Sequence, residues 1–214
     1  MRKRFFICAC ISALLLTACG GAKATSKYAV SVEDAEHFVE KAAQKEIFES
    51  YDEVISYLTK GQSYAYIRLN GYDGELLMVT VNVCADDNED RNPLELYYTI
   101  FAKDGNDVSS IGDKYFYGGK ECPLAIGDGM LFSCAPDEIV SYSVYDDSTT
   151  GEMFLVHMAS LSKYYHEDGE PYCLGFVSDP NDPIWSIDAD PEEAYAEWEQ
   201  KYSNAKKIKF TVVK

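Results

Sequence analysis

The sequence predicts an α+β protein: one or two helices at the N-terminus on a meandering antiparallel β-sheet, then a late short helix and a C-terminal strand. Three observations predict it. Apolar residues recur at helical spacing between residues 32 and 60, then at a period of two over most of the remainder. Turns rich in Gly and Asp separate the alternating runs at hairpin spacing. That spacing leaves no room for helical crossovers, which argues against a parallel α/β sheet. Finally, 47% apolar and 14% aromatic residues in a chain of 214 suffice for one folded domain with a sizeable core.

Arg2, Lys3 and Arg4 precede an apolar run from Phe5 to Ala18. This is the order of a bacterial export signal, and the run is too short for an ordinary membrane span. It closes on Leu16-Thr17-Ala18-Cys19, which resembles the lipobox of bacterial lipoproteins: Leu, two small residues, then Cys. The resemblance implies a signal peptide over residues 1–18, with Cys19 as the first mature residue, thioether-linked to diacylglycerol carrying acyl chains such as palmitate. Two acyl chains suffice for stable anchoring where one is marginal. The protein is then expected at the cell membrane, lipid-anchored on the extracytoplasmic side. A plain secretory signal cut near Ala18 is the alternative. Residues 19–30 read as a polar tether, of which the 11 residues Gly20 to Val30 reach about 18 Å r.m.s., so the body stays near the membrane.

Loss of three basic residues with the signal takes the formal net charge from −17 to −20. Such a charge disfavours nucleic acid and anionic headgroups as partners, and it suits solubility in the envelope or a basic partner.

Residues 31–214 read as a single α+β domain. Ser31 with Asp34 forms a capping box ahead of Ala35, Phe38, Val39, Ala42, Ile47, Tyr51, Val54, Ile55 and Leu58, and Gly61 is a stop. A second box, Ser50 with Glu53, divides the stretch if there are two helices. Alternation then marks strands at Ala65–Leu69, Leu77–Val83 and Leu94–Ile100, the last closed by the turn Lys103-Asp104-Gly105-Asn106. Further strands are expected at 114–117, 130–134, 139–145, 152–159 and 172–177, with turns at Gly127-Asp128-Gly129, Asp146–Gly151 and Asp168-Gly169. Asp190 as cap and Pro191 at the first helical position open a helix to about Asn204. Lys207 to Val213 alternates again, with Ile208, Phe210 and Val212 on one face.

Two acidic segments bear on calcium. Residues 64–77, Tyr-Ala-Tyr-Ile-Arg-Leu-Asn-Gly-Tyr-Asp-Gly-Glu-Leu-Leu, resemble in degenerate form the strand–acidic-loop–strand unit (Asp-x-Asp-Gly-Asp-Gly-x-x-Glu-Leu) of gut-Firmicutes lipoproteins. In that family the unit follows an N-terminal helix, and alternating Asp side chains suit a calcium ion. Here Arg68, Asn70 and Tyr72 (or Asp73) stand at the ligand positions, and a cation at the first of them opposes calcium. Residues 70–74 are therefore read as a hairpin turn. Asp86, Asn88, Asp90 and Asn92 alternate as a calcium loop does, but Arg91 replaces the glycine at the sixth position and Tyr97 the glutamate at the twelfth. A solvated loop explains this run as well. No other cofactor is expected.

Cys84, Cys122, Cys134 and Cys173 remain after Cys8, Cys10 and Cys19 are assigned to the signal and the lipid. Outside the cytoplasm they allow two disulfides in three connectivities; four buried thiols are the alternative. Ser160-Leu161-Ser162-Lys163 matches the Ser-x-x-Lys acylation motif but follows a strand and lacks the Lys-Thr-Gly partner. His37, His157 and His166 form no recognisable catalytic motif. The seventeen tyrosines are the remaining anomaly, and Tyr97, Tyr98, Tyr115, Tyr117, Tyr142, Tyr164 and Tyr165 are the candidates for partner-binding aromatics on a sheet face. In each doublet one ring is expected to point outward. The reading is a non-catalytic, lipid-anchored envelope protein that binds a protein or glycan partner near the membrane. The alternative is an extracytoplasmic hydrolase using paired carboxylates on an envelope polymer.

Overall fold

The structure, a computed structural model, describes residues 47–80, 94–118, 122–179, 182–187 and 189–214. The chain runs α1 (Tyr51–Ser56), β1 (Ser63–Ile67), β2 (Leu76–Thr80), β3 (Leu94–Asp104), β4 (Asp107–Gly118), β5 (Ala125–Gly127), β6 (Met130–Ala135) and β7 (Glu138–Asp147). It continues with β8 (Glu152–Tyr165), β9 (Pro171–Asp179), β10 (Asp182–Ile187), α2 (Pro191–Asn204), β11 (Lys206–Lys207) and β12 (Thr211–Val212). Antiparallel β-sheet dominates, as the alternation predicts, and every strand pairing is antiparallel.

The expectation of one sheet is corrected. The described residues form two: a five-stranded sheet in the order β12-β1-β2-β3-β4 and a seven-stranded sheet in the order β10-β9-β8-β7-β6-β5-β11. The cause is visible in β2, where Leu76, Leu77, Met78, Val79 and Thr80 are all buried. Alternate residues point to opposite faces, so this strand has both faces covered. On one side Ile67, Met78, Tyr98 and Ile100 meet Leu131, Val140, Tyr142 and Val144 of the seven-stranded sheet. On the other, Leu77, Val79, Phe101 and Val108 lie under Phe48 and Val54 of the α1 region. The far face of the larger sheet carries Phe132, Ile139, Leu161 and Val177 beneath Ala194, Tyr195 and Trp198 of α2. The layers are therefore helix, sheet, sheet, helix.

Both helices begin where the capping residues place them. Ser50 Oγ accepts from Glu53 N–H at 3.2 Å, and Asp190 accepts from the N–H groups of Glu192 and Glu193 at 3.0 and 3.1 Å. Of the helical stretch expected over 32–60, α1 is the described helix; it ends at Ser56, and residues 32–46 lie outside the described residues. The expected final strand is also corrected. It divides, with Lys206–Lys207 pairing β5 in one sheet and Thr211–Val212 pairing β1 in the other. Between them Ile208 and Phe210 pack into the core between the sheets, as their alternation suggests, while Val213 joins the α1 side.

The segment resembling an acidic calcium unit is a clasp between the sheets. Asn70 N–H donates to Gly129 O at 2.7 Å, Val144 N–H donates to Asn70 O at 2.9 Å, and Asn70 Nδ2 donates to Asp128 O at 2.8 Å. Gly71 has φ +84, and a Cβ there would lie 1.8 Å from Val144 O. Tyr72 OH donates to Lys103 O at 2.7 Å, and Arg68 pairs with Glu75 at 3.5 Å across the turn. Residues 70–74 thus form the expected turn, with the polar groups of Asn70 and Tyr72 engaged by the chain itself.

Candidate partner-binding face

Strands β8 and β9 carry the exposed aromatic residues. In their register Ser160 faces Phe176, Ser162 faces Leu174 and Tyr164 faces Tyr172, while the intervening pairs are Leu161–Gly175 and Lys163–Cys173. Alternation sends the two sets to opposite sides. Leu161 and Cys173 go into the core under α2, and Lys163 Nζ sits 4.5 Å from the Tyr195 ring centroid. The first set lies on the face that, at β6 and β7, packs against the five-stranded sheet. Here it is open: Leu174 is 53% and Phe176 42% exposed, and Tyr164 is exposed beside them. Tyr172, Leu174 and Phe176 make a stripe about 14 Å long at the usual rise of a strand.

The rings order one another. Tyr164 stacks on Tyr172 with centroids 5.5 Å apart and planes at 25°, and His166 stacks on Tyr172 at 4.4 Å and 28°. At the inner end His157 bridges the stripe to the core, 4.7 Å from the Tyr142 ring and 6.1 Å from Phe176. Tyr165 lies on the other side of the strand and donates from its hydroxyl to Asp137 Oδ1 at 3.3 Å. Glu167, Asp168 and Glu170 sit exposed in the adjoining β8–β9 turn.

The candidate tyrosines divide. Tyr164 and Tyr165 are both exposed, so this doublet presents two rings to solvent instead of one. Tyr98 and Tyr142 are corrections: both are buried between the sheets, Tyr98 fully, because a second sheet covers the face they occupy. Tyr97, Tyr115 and Tyr117 lie in β3 and β4, with Tyr97 opposite Tyr115 in the register, and their side chains are outside the described residues. Tyr172, Leu174 and Phe176 were not singled out in the sequence. They belong to an apolar run, Tyr172 to Val177, that reads as a buried strand; only Ser160 and Ser162 opposite them signal an uncovered face.

Of the two readings open for the cysteines, the described ones follow the buried-thiol alternative. Cys122, Cys134 and Cys173 are buried as thiols, and no disulfide joins the described cysteines. Cys134 lies among Phe132, Ile139 and Trp198, and burial pushes its thiol up to about 12. Cys84 lies outside the described residues, as do Cys19 and the four calcium candidates Asp86, Asn88, Asp90 and Asn92. Ser160 and Lys163 point to opposite sides of β8, so the Ser-x-x-Lys spacing brings no base to a nucleophile.

No protein-family model, curated protein or solved structure matches the chain. The chemistry of the face follows from its own geometry. Tyr172 stacks on both Tyr164 and His166, which reduces the ring face it can offer a sugar, and an aliphatic Leu174 adds no stacking surface. What remains outward is apolar edge, hydroxyl and methyl groups beside an acidic turn. Such a surface complements apolar side chains flanked by basic ones.

Proposed function

We propose that the chain is a lipid-anchored, extracytoplasmic binding protein and that its β8–β9 face docks a protein partner close to the membrane. The observation that carries the reading is the half-exposed Leu174 and Phe176 beside the stacked Tyr164 and Tyr172, on an open part of the face that elsewhere packs between the sheets. Aromatic and aliphatic anchors of this kind supply most of the energy of a protein interface, whereas scattered surface leucines do not form such a row. The net charge of −17 directs the choice toward a partner with a basic rim.

Membrane attachment is assigned to diacylglycerol on Cys19, from the lipobox resemblance, with residues 1–18 as the signal peptide and 19–30 as the tether. The amphipathic stretch from Ser31 is assigned as the helix that joins tether to sheets and completes the α+β fold. This reading calls for no cofactor and no catalytic group. The test is co-purification from the native envelope with the wild type and with Leu174→Asp/Phe176→Ser. Both side chains are largely outside the core, so the variant is expected to melt with the wild type and lose its partner. Retention of the same partner by a folded double variant contradicts the assignment of this face.

A further inference from the structure

On the opposite side of the seven-stranded sheet a cleft of about 810 Å³ separates α2 from β6–β10. That volume falls in the range of small-molecule sites, roughly 300–1,000 Å³. Its floor is apolar, with Met130, Met158 and Val177, and its wall is the Trp198 ring. Its rim is acidic: Asp146, Glu193 and Glu197 line it, and Asp190 is committed to capping α2. The single basic residue of the lining is Lys201. Its ammonium lies 4.2 Å from the Trp198 ring centroid and 2.7 Å from Glu197 Oε1. An aromatic face and a carboxylate around one ammonium are the two elements of a cation seat. Here the chain's own lysine fills it, from a side chain that is only partly covered.

Ser143, on β7, is 4% exposed and also lines the cleft.

We propose that this cleft binds a small organic cation, an ammonium group on an apolar body, which displaces Lys201 from Trp198 and Glu197 and lays its apolar part on Met130, Met158 and Val177. Lys201 is then an internal competitor. Because it is tethered, the ligand must outbid a high local concentration of ammonium, and removal of the lysine strengthens binding. This site lies on the other face of the sheet from the β8–β9 stripe, so either assignment can fail without the other.

The test is calorimetric titration of the full-length protein in detergent with phenylethylamine, and with its uncharged counterpart phenylethanol. The amine is expected to bind more tightly than the alcohol. Lys201→Met is expected to tighten amine binding about tenfold and leave alcohol binding unchanged. Adding Glu197→Gln to that variant is expected to reverse the gain. Lys201 and Glu197 are partly exposed on α2, and a melting curve of each variant establishes that it is folded. Equal binding of amine and alcohol, no binding of the amine to wild type or to Lys201→Met, or an affinity unmoved by Lys201→Met each overturns the proposal.

Discussion

At the scale of single residues, Gly71 decides whether the two sheets can be joined. Its φ of +84 and the 1.8 Å approach of a Cβ to Val144 O leave no room for a side chain. Gly151 has a similar φ of +71 but nothing near its Cβ position. Gly151→Ala should therefore cost roughly 1–2 kcal/mol, the strain alone. Gly71→Ala adds a clash with backbone and should cost about 3 kcal/mol or more, read by urea unfolding of both variants. Cys134 gives a second prediction, in pH. Its folded-state thiol sits at about 12 against an ordinary 9.0, chiefly through burial. The folded state then holds a proton that the unfolded state releases, so this contribution is fully present below 9.0 and is lost as pH rises toward 12. The tyrosines Tyr51, Tyr195 and Tyr202, raised by burial as well, act in the same direction. Cys134→Ala should reduce the alkaline slope of unfolding free energy without removing it.

At the scale of elements, α2 shows what local grammar can specify. Asp190, Pro191 and Asn204 were legible as cap, first turn and end, because capping depends on neighbours in sequence. Asp190→Ala should cost about 1 kcal/mol, measured by thermal unfolding. Trp198→Ala, on the buried face of the same helix, should cost about 3–5 kcal/mol, because it opens a cavity against Phe132, 6.0 Å away between ring centroids. The strands were legible too, in alternation and in turns such as Lys103-Asp104-Gly105-Asn106, which falls one residue early of the β3–β4 turn. Which sheet each strand joins was not. That depends on burial of both faces of Leu76–Val79 and on the C-terminal segment crossing from β5 to β1, and both are long-range pairings that no local pattern encodes. Alternation on either side of residues 70–74 predicts the strand–turn–strand found at β1 and β2. The partners of Asn70 lie some 60–75 residues away in sequence, at Asp128, Gly129 and Val144, and could not be read from it.

At the scale of the whole molecule, function depends on which parts of the sheets are covered. Sequence parity assigns the two rings of a doublet to opposite faces, yet it says nothing about what lies over each face. Tyr98 and Tyr142 were therefore indistinguishable in sequence from Tyr164, although the first two are core and the last is surface. The lipid anchor proposed at Cys19 supplies the other half of the account, since a body so tethered would meet its partners within a short distance of the membrane. Cys19→Ser should move the protein from the membrane to the soluble fraction, and persistence in the membrane contradicts the anchor. The most direct test of the docking face is site-specific photocross-linking in the intact envelope, with a photoreactive residue at position 174 and, as control, at position 151. The account predicts one discrete protein adduct from position 174, absent from position 151 and lost on Phe176→Ser. Equal labelling from the two positions, or labelling of glycan alone, would contradict it.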